Sequence, residues 1–217
     1  VVHSDDANAQ HYEVPTAFYD LVLGPRKKYS SCFFESSDDS LEVAENNMLK
    51  ITIERAQIQD NQQILDLGCG WGSVSLYIAE NFPNSQVTAV SNSKTQKAYI
   101  LDQAKQKNLT NIKVITEDVG KLILHETFDR IVSVEMLEHV RNYQACFKNV
   151  SSWLKPEGLF FVHIFGHHQW AYLFDNQDQR SWMAKNFFTG GQMPSKQLFS
   201  YFNEDLAIQE QWTVNGN

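Results

Sequence analysis

The chain has 217 residues, of which 42% are hydrophobic and 20% are charged, and its formal net charge is −8. This length is enough for one well-buried domain with an appended segment, but not for two full domains. The acidic balance repels phosphate backbones and anionic lipid headgroups, so the composition argues against nucleic acid as a partner.

The cysteines and the apolar runs bear on where the protein works. Cys32, Cys69 and Cys146 are odd in number and widely spaced, which fits neither a disulfide framework nor a CxxC pair. The longest apolar runs, such as LFFV at 159–162, are far shorter than the roughly 20 residues of a membrane span. The first ten residues contain no apolar signal-peptide region. We therefore expect a cytoplasmic protein without stable membrane insertion.

The first predicted element is a helix over 41–56, where apolar residues recur at helical spacing and Asp39 with Glu42 forms an N-terminal cap. From residue 63 onward, short β-branched strands alternate with amphipathic helices. In chain order these are a strand at 63–67, a helix at 73–82, a strand at 86–90, a helix at 94–106 with Ser93 and Gln96 in capping-box spacing, strands at 112–116 and 129–134, a helix at 143–154 that KPEG (155–158) breaks, and a strand at 158–165.

This order predicts an α/β fold with a Rossmann-like, doubly wound, mostly parallel sheet. In such sheets, ligands bind outside the carboxyl ends of the strands. We therefore expect the chemistry to follow the predicted strand ends at Leu67, Val90, Thr116, Val134 and Phe165.

Three glycines, Gly68, Gly70 and Gly72, directly follow the first strand. Glycine permits a tight turn there and lets a ligand approach the backbone at the positive end of the next helix. The dinucleotide fingerprint needs G-x-G-x-x-G and an acidic residue about 20 positions later. Here position 73 is serine and the second strand runs into SNS (91–93), which disfavours a dehydrogenase. The glycines alone are also compatible with a tight turn that binds nothing.

Five segments in the expected order resemble one branch of the class I S-adenosylmethionine-dependent methyltransferases, the cyclopropane fatty acid synthases and coclaurine-type N-methyltransferases. They are HYEVPTAFYDLVLGPRKKYSSCFFE (11–35), DLGCGWGS (66–73), VTAVSNSKTQ (87–96), DRIVSVEMLEHV (129–140) and LFFVHIFGHHQWAYLF (159–174). Within this branch, SCFFE, ERAQIQD (54–60), AVSNSKTQK and FFTGGQMPS (187–195) are more similar to the coclaurine-type enzymes.

The resemblance implies the class I methyltransferase fold in three parts. A helical N-terminal segment over 1–60 is expected to cover the cofactor site, a Rossmann-like core over 61–166 to bind the cofactor, and an aromatic-rich cap over 167–217 to hold the substrate. Because the family usually continues beyond this point, we expect the C-terminal part to be missing, with LAIQEQWTV (206–214) as the penultimate strand.

The cofactor that the resemblance implies is S-adenosyl-L-methionine, released as S-adenosyl-L-homocysteine. The matching positions imply contacts from Tyr29 and Ser30 to the methionine end, from Asp66, Gly68, Cys69 and Gly70 along it, from Ser91, Asn92 and Gln96 to the ribose, and from Asp118 to the adenine. Alternatively, 91–93 is simply a helix cap and Asp118 a solvated turn residue.

The segment SVEMLEHV places Glu135, Glu138 and His139 after the fourth strand. If this segment is helical, the two carboxylates share one face. An amine substrate arrives largely as ammonium and must lose a proton before its lone pair can attack. A carboxylate can hold that ammonium and a histidine can take its proton. We assign Glu135 to ammonium binding and Glu138 with His139 to the base pair or its relay, the alternative being the start of a surface helix.

Two departures from the cyclopropane synthases favour an amine as the methyl acceptor. In that group, a bicarbonate ion is held partly by groups that match Glu138, His163 and a cysteine where this chain has Ser31, and glycine usually stands where this chain has Glu135. A metal site formed by the histidines and carboxylates is disfavoured, because the chain has no H-E-x-x-H spacing.

Aromatic residues concentrate in 160–188, where they could enclose a flat aromatic amine. The expected substrate pocket consists of His163, Phe165, His167, Trp170 and Tyr172. The alternative role for most of the aromatic residues is the core of the cap itself.

The leading hypothesis is therefore a methyltransferase acting on the nitrogen of a small cyclic, aromatic amine. Methyl transfer to a lipid alkene and a catalytically inactive cofactor-binding homologue are the alternatives. Nucleic-acid methylation is disfavoured because the chain lacks both an NPPF/DPPY-type motif and a basic face. The sequence leaves the oligomeric state open.

Overall fold

The computed structural model describes residues 16–174, 182, 184, 188 and 190–214. Its centre is a five-stranded sheet of order β3-β2-β1-β4-β5, in which every neighbouring pair is parallel. The strands are β1 (Gln63–Leu67), β2 (Gln86–Ser91), β3 (Ile112–Thr116), β4 (Phe128–Val134) and β5 (Leu154–His163). The strand order reverses at β1, which is the position where doubly wound sheets open a ligand crevice. The predicted sheet is confirmed.

Helices cover both faces of this sheet. They are α1 (Thr16–Val22), α2 (Leu41–Arg55), α3 (Ser73–Asn81), α4 (Lys94–Gln106) and α5 (Tyr143–Trp153). Side chains of α2, α3 and α4 pack in two clusters with strand residues such as Ile64 and Ala89, whereas α5 packs against Leu65 and Ile131 on the opposite face. Alternate strand residues thus enter different cores, as the pleat of a strand requires.

Two predicted boundaries are corrected by local hydrogen bonding. The N-cap of α2 is Ser40, whose side chain accepts the N–H of Val43, because the Asp39 carboxylate is already occupied by the N–H groups of Glu35 and Ser36. The KPEG segment lies inside β5, which begins directly after α5 ends at Trp153. A register shift in the β4–β5 pairing accommodates this segment.

The predicted cap has a small core of its own. Strands β6 (Tyr172–Leu173) and β7 (Gln192–Met193) pair antiparallel, and Phe174, Ala184 and Phe188 pack there with Phe165. Residues 206–214 form no strand, because they pair with no strand edge in the described part of the chain. Residues 1–15 of the predicted N-terminal segment, and 175–181 and Phe187 of the predicted cap, lie outside the described residues.

Short 3-10 helices at Leu137–His139 and Leu198–Tyr201 complete the described elements. In the parts of the chain that the structure describes, none of the helices is long and apolar enough to cross a bilayer.

A pair of glycine substitutions tests how the turn after β1 is held. Gly72 has φ +79°, and an added Cβ would lie 2.6 Å from Ile100 Cγ1, whereas Gly70 has φ +52° and open space around the same position. We expect Gly70→Ala to cost about 1 kcal/mol from the left-handed backbone alone. Gly72→Ala should cost about 3 kcal/mol, because the clash with Ile100 adds to the same strain.

Urea denaturation of the two variants beside the wild type measures this difference. An equal decrease in the free energy of unfolding in both variants would contradict the proposed contact with Ile100.

Candidate functional site

A cleft opens at the carboxyl edge of the sheet, between the ends of β1 to β4 and the segment that precedes α2. Every residue that the resemblance assigns to the cofactor lines this cleft, together with Glu135 and His139. The predicted cofactor residues that line it are Tyr29, Ser30, Asp66, Gly68, Cys69, Gly70, Ser91, Asn92, Gln96 and Asp118.

The three glycines of the turn are required for different reasons. All have positive φ, which ordinary residues rarely adopt. A Cβ on Gly68 would lie 2.3 Å from the Met136 side chain, and one on Gly72 would meet Ile100. A Cβ on Gly70 would meet nothing within 4 Å. The protein itself therefore excludes side chains at two positions, and at Gly70 the free space belongs to the cleft.

The turn is closed by the neighbouring strand. The N–H groups of Gly68 and Cys69 both donate to the carbonyl oxygen of Val90, at 3.1 and 2.9 Å. These two amides are therefore satisfied within the protein and do not serve as the donors to a ligand that we expected of this turn. A ligand at this point contacts the backbone surface of the turn instead.

At the end of β2, a group of polar side chains borders the cleft. The Ser91 hydroxyl donates to Gln96 Oε1 at 2.6 Å, and the Ser93 side chain caps α4 by accepting the Gln96 N–H. Gln96 thus bonds Ser91 rather than completing a capping box with Ser93. Gln96 Nε2 and Ser73 Oγ are buried without a partner among the described residues, and both residues line the cleft.

Two acidic residues bracket the cleft. Asp66 lies at the glycine turn, where burial raises its pKa to about 6 in spite of the hydrogen bond from the Ser75 hydroxyl. Asp118 follows β3, and its Oδ1 accepts the Gly120 N–H at 2.6 Å. Asp118 therefore serves the turn and also borders the cleft.

A buried carboxylate that the sequence did not indicate as functional fixes the segment before α2. Glu45 is fully buried and accepts the backbone N–H groups of Arg26 and Lys28, at 3.0 and 2.9 Å. This interaction fixes the start of the loop that carries Tyr29 and Ser30 over the cleft. The spacing of Glu45 from Met48, a buried residue of α2, was the signal that could have indicated its burial.

Glu135 lies at the carboxyl end of β4 with φ +53°, and its N–H donates to the His163 carbonyl at 2.8 Å. Its Oε1 accepts a 2.8 Å hydrogen bond from the Ser31 hydroxyl and lies 3.9 Å from His163 Nε2. Burial, followed by the charges of Lys28 and Arg55, lowers the pKa of His163 to about 4. His163 is therefore neutral near pH 7 and does not neutralise the carboxylate.

Glu138 and His139 are separated by the local backbone. Because the 3-10 helix starts at Leu137, Glu135 precedes it and shares no helical face with Glu138. Glu138 is fully buried outside the cleft lining; its Oε1 accepts the Phe165 N–H at 3.1 Å and its Oε2 has no partner among the described residues. Burial and then the charge of Glu135 raise the pKa of Glu138 to about 8. His139 borders the cleft itself.

None of the five predicted substrate-pocket residues lines this cleft. His163 lies beside Glu135, and Phe165 packs against Phe188 with ring centroids 5.1 Å apart. His167 is exposed, and its Nδ1 accepts the N–H groups of Gln169 and Trp170, which closes a local turn. Trp170 and Tyr172 are exposed as well, at 62% and 48%. Among the described residues, no three His, Cys, Asp or Glu side chains are grouped as metal ligands.

A comparison with protein families matches residues 3–212 to the family described as mycolic acid cyclopropane synthetase. The chain belongs to this family.

Individual relatives in this family carry different activities. The chain is 38% identical to (S)-coclaurine N-methyltransferase of Thalictrum flavum subsp. glaucum over 95% of its own length and 58% of the relative's. It is 32% identical to cyclopropane-fatty-acyl-phospholipid synthase of Escherichia coli (strain K12), over 94% of its length and 50% of the relative's.

A solved coclaurine N-methyltransferase, bound to N-methylheliamine and S-adenosyl-L-homocysteine, superposes with a TM-score of 0.94 at 36% identity. The match covers 98% of this chain and 62% of that one. The chain thus spans less than two thirds of the length of each of these three relatives.

The buried carboxyl of Glu138 predicts a pH-dependent stability. Because its folded pKa is raised, the folded chain keeps a proton that the unfolded chain releases between about pH 5 and 8, and stability falls as the pH rises through this window. Glu138→Gln keeps the shape and does not titrate. Its free energy of unfolding relative to the wild type should rise by roughly 2 to 4 kcal/mol from pH 5 to 8.

Urea denaturation at several pH values gives this difference, and contributions from other groups such as His163 cancel in it. The exposed Glu126→Gln is the matched control and should follow the wild type. If the free energies of unfolding of Glu138→Gln and the wild type change equally with pH, Glu138 does not have a raised pKa and the prediction is wrong.

Proposed function

We propose that this chain binds S-adenosyl-L-methionine in the cleft and transfers its methyl group to the nitrogen of a small cyclic, aromatic amine. The single observation that carries the choice of substrate is the Glu135 carboxylate, which the backbone and Ser31 hold at the cleft. The similarity to coclaurine N-methyltransferase supports the same choice.

The residues present fit the proposed cofactor. The open space at Gly70 admits a ligand against the turn, and the unpartnered Gln96 Nε2 and Ser73 Oγ offer donors within the cleft. Asn92 and Asp118 lie beyond β2 and β3, where hydroxyl and amino groups of an adenosine can find partners. When bound, the cofactor supplies an electrophilic methyl group on a sulfonium.

The protein's own part is to place the amine and remove its proton. Glu135 pairs with the ammonium and sets its orientation toward the cleft. His139 is the assigned proton acceptor, since it borders the cleft and Glu138 does not. Near neutral pH the raised pKa keeps Glu138 protonated, so we assign it a positioning role through its bond to the Phe165 N–H.

Methyl transfer to a lipid alkene is the alternative that the Escherichia coli relative represents. The site disfavours a bicarbonate base beside Glu135. The Ser31 hydroxyl already donates to this carboxylate, and a neutral His163 offers no cation to a second anion there.

Variants of the acidic residue and the histidine test the assignment. With a panel of secondary cyclic amines, we expect Glu135→Gln to raise the KM for the amine about tenfold, because the ammonium loses its charged partner. His139→Ala should lower kcat about 100-fold, as expected for loss of a general base. The exposed Glu126→Gln is the matched control.

Methyl transfer from radiolabelled cofactor measures these effects. Unchanged turnover in both variants would refute the assigned roles. Incorporation into unsaturated phospholipid in the presence of bicarbonate, with none into any amine, would refute the proposed acceptor.

Ser31 provides a second test of the carboxylate's placement. Ser31→Ala removes the 2.8 Å hydrogen bond to Glu135 and should raise the KM for the amine about three- to tenfold, while affinity for S-adenosyl-L-homocysteine stays unchanged. The exposed Ser152→Ala, which loses a local bond to Asn149, serves as the control. An equal loss of cofactor affinity in Ser31→Ala would mean that Ser31 supports the cleft as a whole.

A further inference from the structure

Lys28 is a buried cation at the cleft to which neither the family resemblance nor the proposed reaction gives a role. The residue is 5% exposed and lines the cleft beside Tyr29. Its backbone N–H is bonded to Glu45, so the main chain at this point is fixed. Within the described part of the chain, the ammonium makes neither a hydrogen bond nor an ion pair.

The acidic groups around Lys28 are already engaged elsewhere. Glu45 accepts two backbone N–H groups, Asp66 accepts the Ser75 hydroxyl, and Glu135 accepts the Ser31 hydroxyl. Burial lowers the pKa of Lys28, while the nearby Cys32, Glu135, Glu45 and Asp66 act in the opposite direction. The three carboxylates lie close enough to favour the ammonium form, but no hydrogen bond or ion pair joins them to it within the described residues. Burying a charge is costly unless the charge is paired, so an anion that enters this cavity gains a favourable contact with the Lys28 ammonium.

Lys28 also lies at the end of the cleft that suits an amino acid. Its neighbours Tyr29 and Ser30 are the residues that the resemblance places at the methionine end, and Asp118 lies at the other end, after β3. Asp66, at the glycine turn, offers the opposite charge. A cation and a carboxylate facing one cavity are complementary to the two charges of an α-amino acid.

We propose that the Lys28 ammonium binds the α-carboxylate of the cofactor's amino-acid end. This inference rests on the proposed function, because it requires an S-adenosyl compound in the cleft. In this assignment Lys28 contacts only the carboxylate of the cofactor, so the contacts to the adenosine do not depend on Lys28. Charge-assisted hydrogen bonds of this kind are among the stronger polar contacts in proteins.

Calorimetry with two ligands separates this contact from a general effect on the cleft. S-Adenosyl-L-homocysteine carries the carboxylate, and 5′-methylthioadenosine has the same adenosine and thioether without the amino-acid end. We expect Lys28→Met to weaken S-adenosyl-L-homocysteine about 10- to 100-fold. Its affinity for 5′-methylthioadenosine should change by less than about twofold, because the adenosine contacts remain.

Lys113→Met is the matched control. The exposed Lys113 side chain pairs with Glu126 and lies outside the cleft lining, so this variant removes one positive charge without removing the proposed contact. We expect its affinity for S-adenosyl-L-homocysteine to stay within about twofold of the wild type, since a surface ion pair contributes little.

The outcomes distinguish the two proposals. If Lys28→Met loses affinity equally for both ligands, or for neither, the lysine assignment is overturned and the proposed cofactor is unaffected. A wild-type chain that binds neither ligand overturns the proposed cofactor and the lysine assignment together.

Circular dichroism shows whether Lys28→Met folds. If this variant does not fold, a measurement on the wild type still tests the lysine assignment. The α-carboxamide of S-adenosyl-L-homocysteine replaces the anion with a neutral group of the same shape. It should bind at least about tenfold more weakly than the carboxylate form. Equal affinity for the two forms overturns the assignment.

Discussion

The site depends on the backbone turn that joins β1 to α3. The Val90 carbonyl closes this turn by accepting two consecutive N–H groups, and three residues adopt positive φ within five positions. Met136 and Ile100 pack so closely that only glycine fits at two of these positions. The same turn leaves space at Gly70, which is where the cleft reaches the sheet. Packing and ligand access are therefore set by one local conformation.

Around this turn, the protein places buried and half-buried charged groups whose positions are fixed by contacts within the protein. Glu45 fixes the loop that carries Lys28 and Tyr29, and Ser31 fixes the orientation of Glu135. Burying such groups costs free energy, and folding repays it only where other contacts hold them in place. The proposed function uses this arrangement as a preorganised site, with a cation at the amino-acid end of the cleft and a carboxylate at the acceptor end.

The fold was largely predictable from the sequence because hydrophobic periodicity and turn residues determine it locally. The helix at Lys94–Gln106 and the strand at Ile112–Thr116 have the predicted bounds. The cleft lining followed from the strand ends together with the family resemblance. The side-chain arrangement was less predictable, because Glu45 and Lys28 are charged residues whose burial depends on packing between distant segments. The turn that His167 closes with the Gln169 N–H is likewise a feature that periodicity does not reveal. The roles of the site residues stay predictions until they are tested.

A crystal structure of the chain with S-adenosyl-L-homocysteine tests whether the cleft binds the cofactor. We predict adenosine density across the carboxyl ends of β1 to β3, with the thioether against the turn at Gly68 and Gly70 and directed toward Glu135. Crystals grown at saturating ligand that show this cleft without the ligand, or show the ligand bound elsewhere, would contradict this prediction.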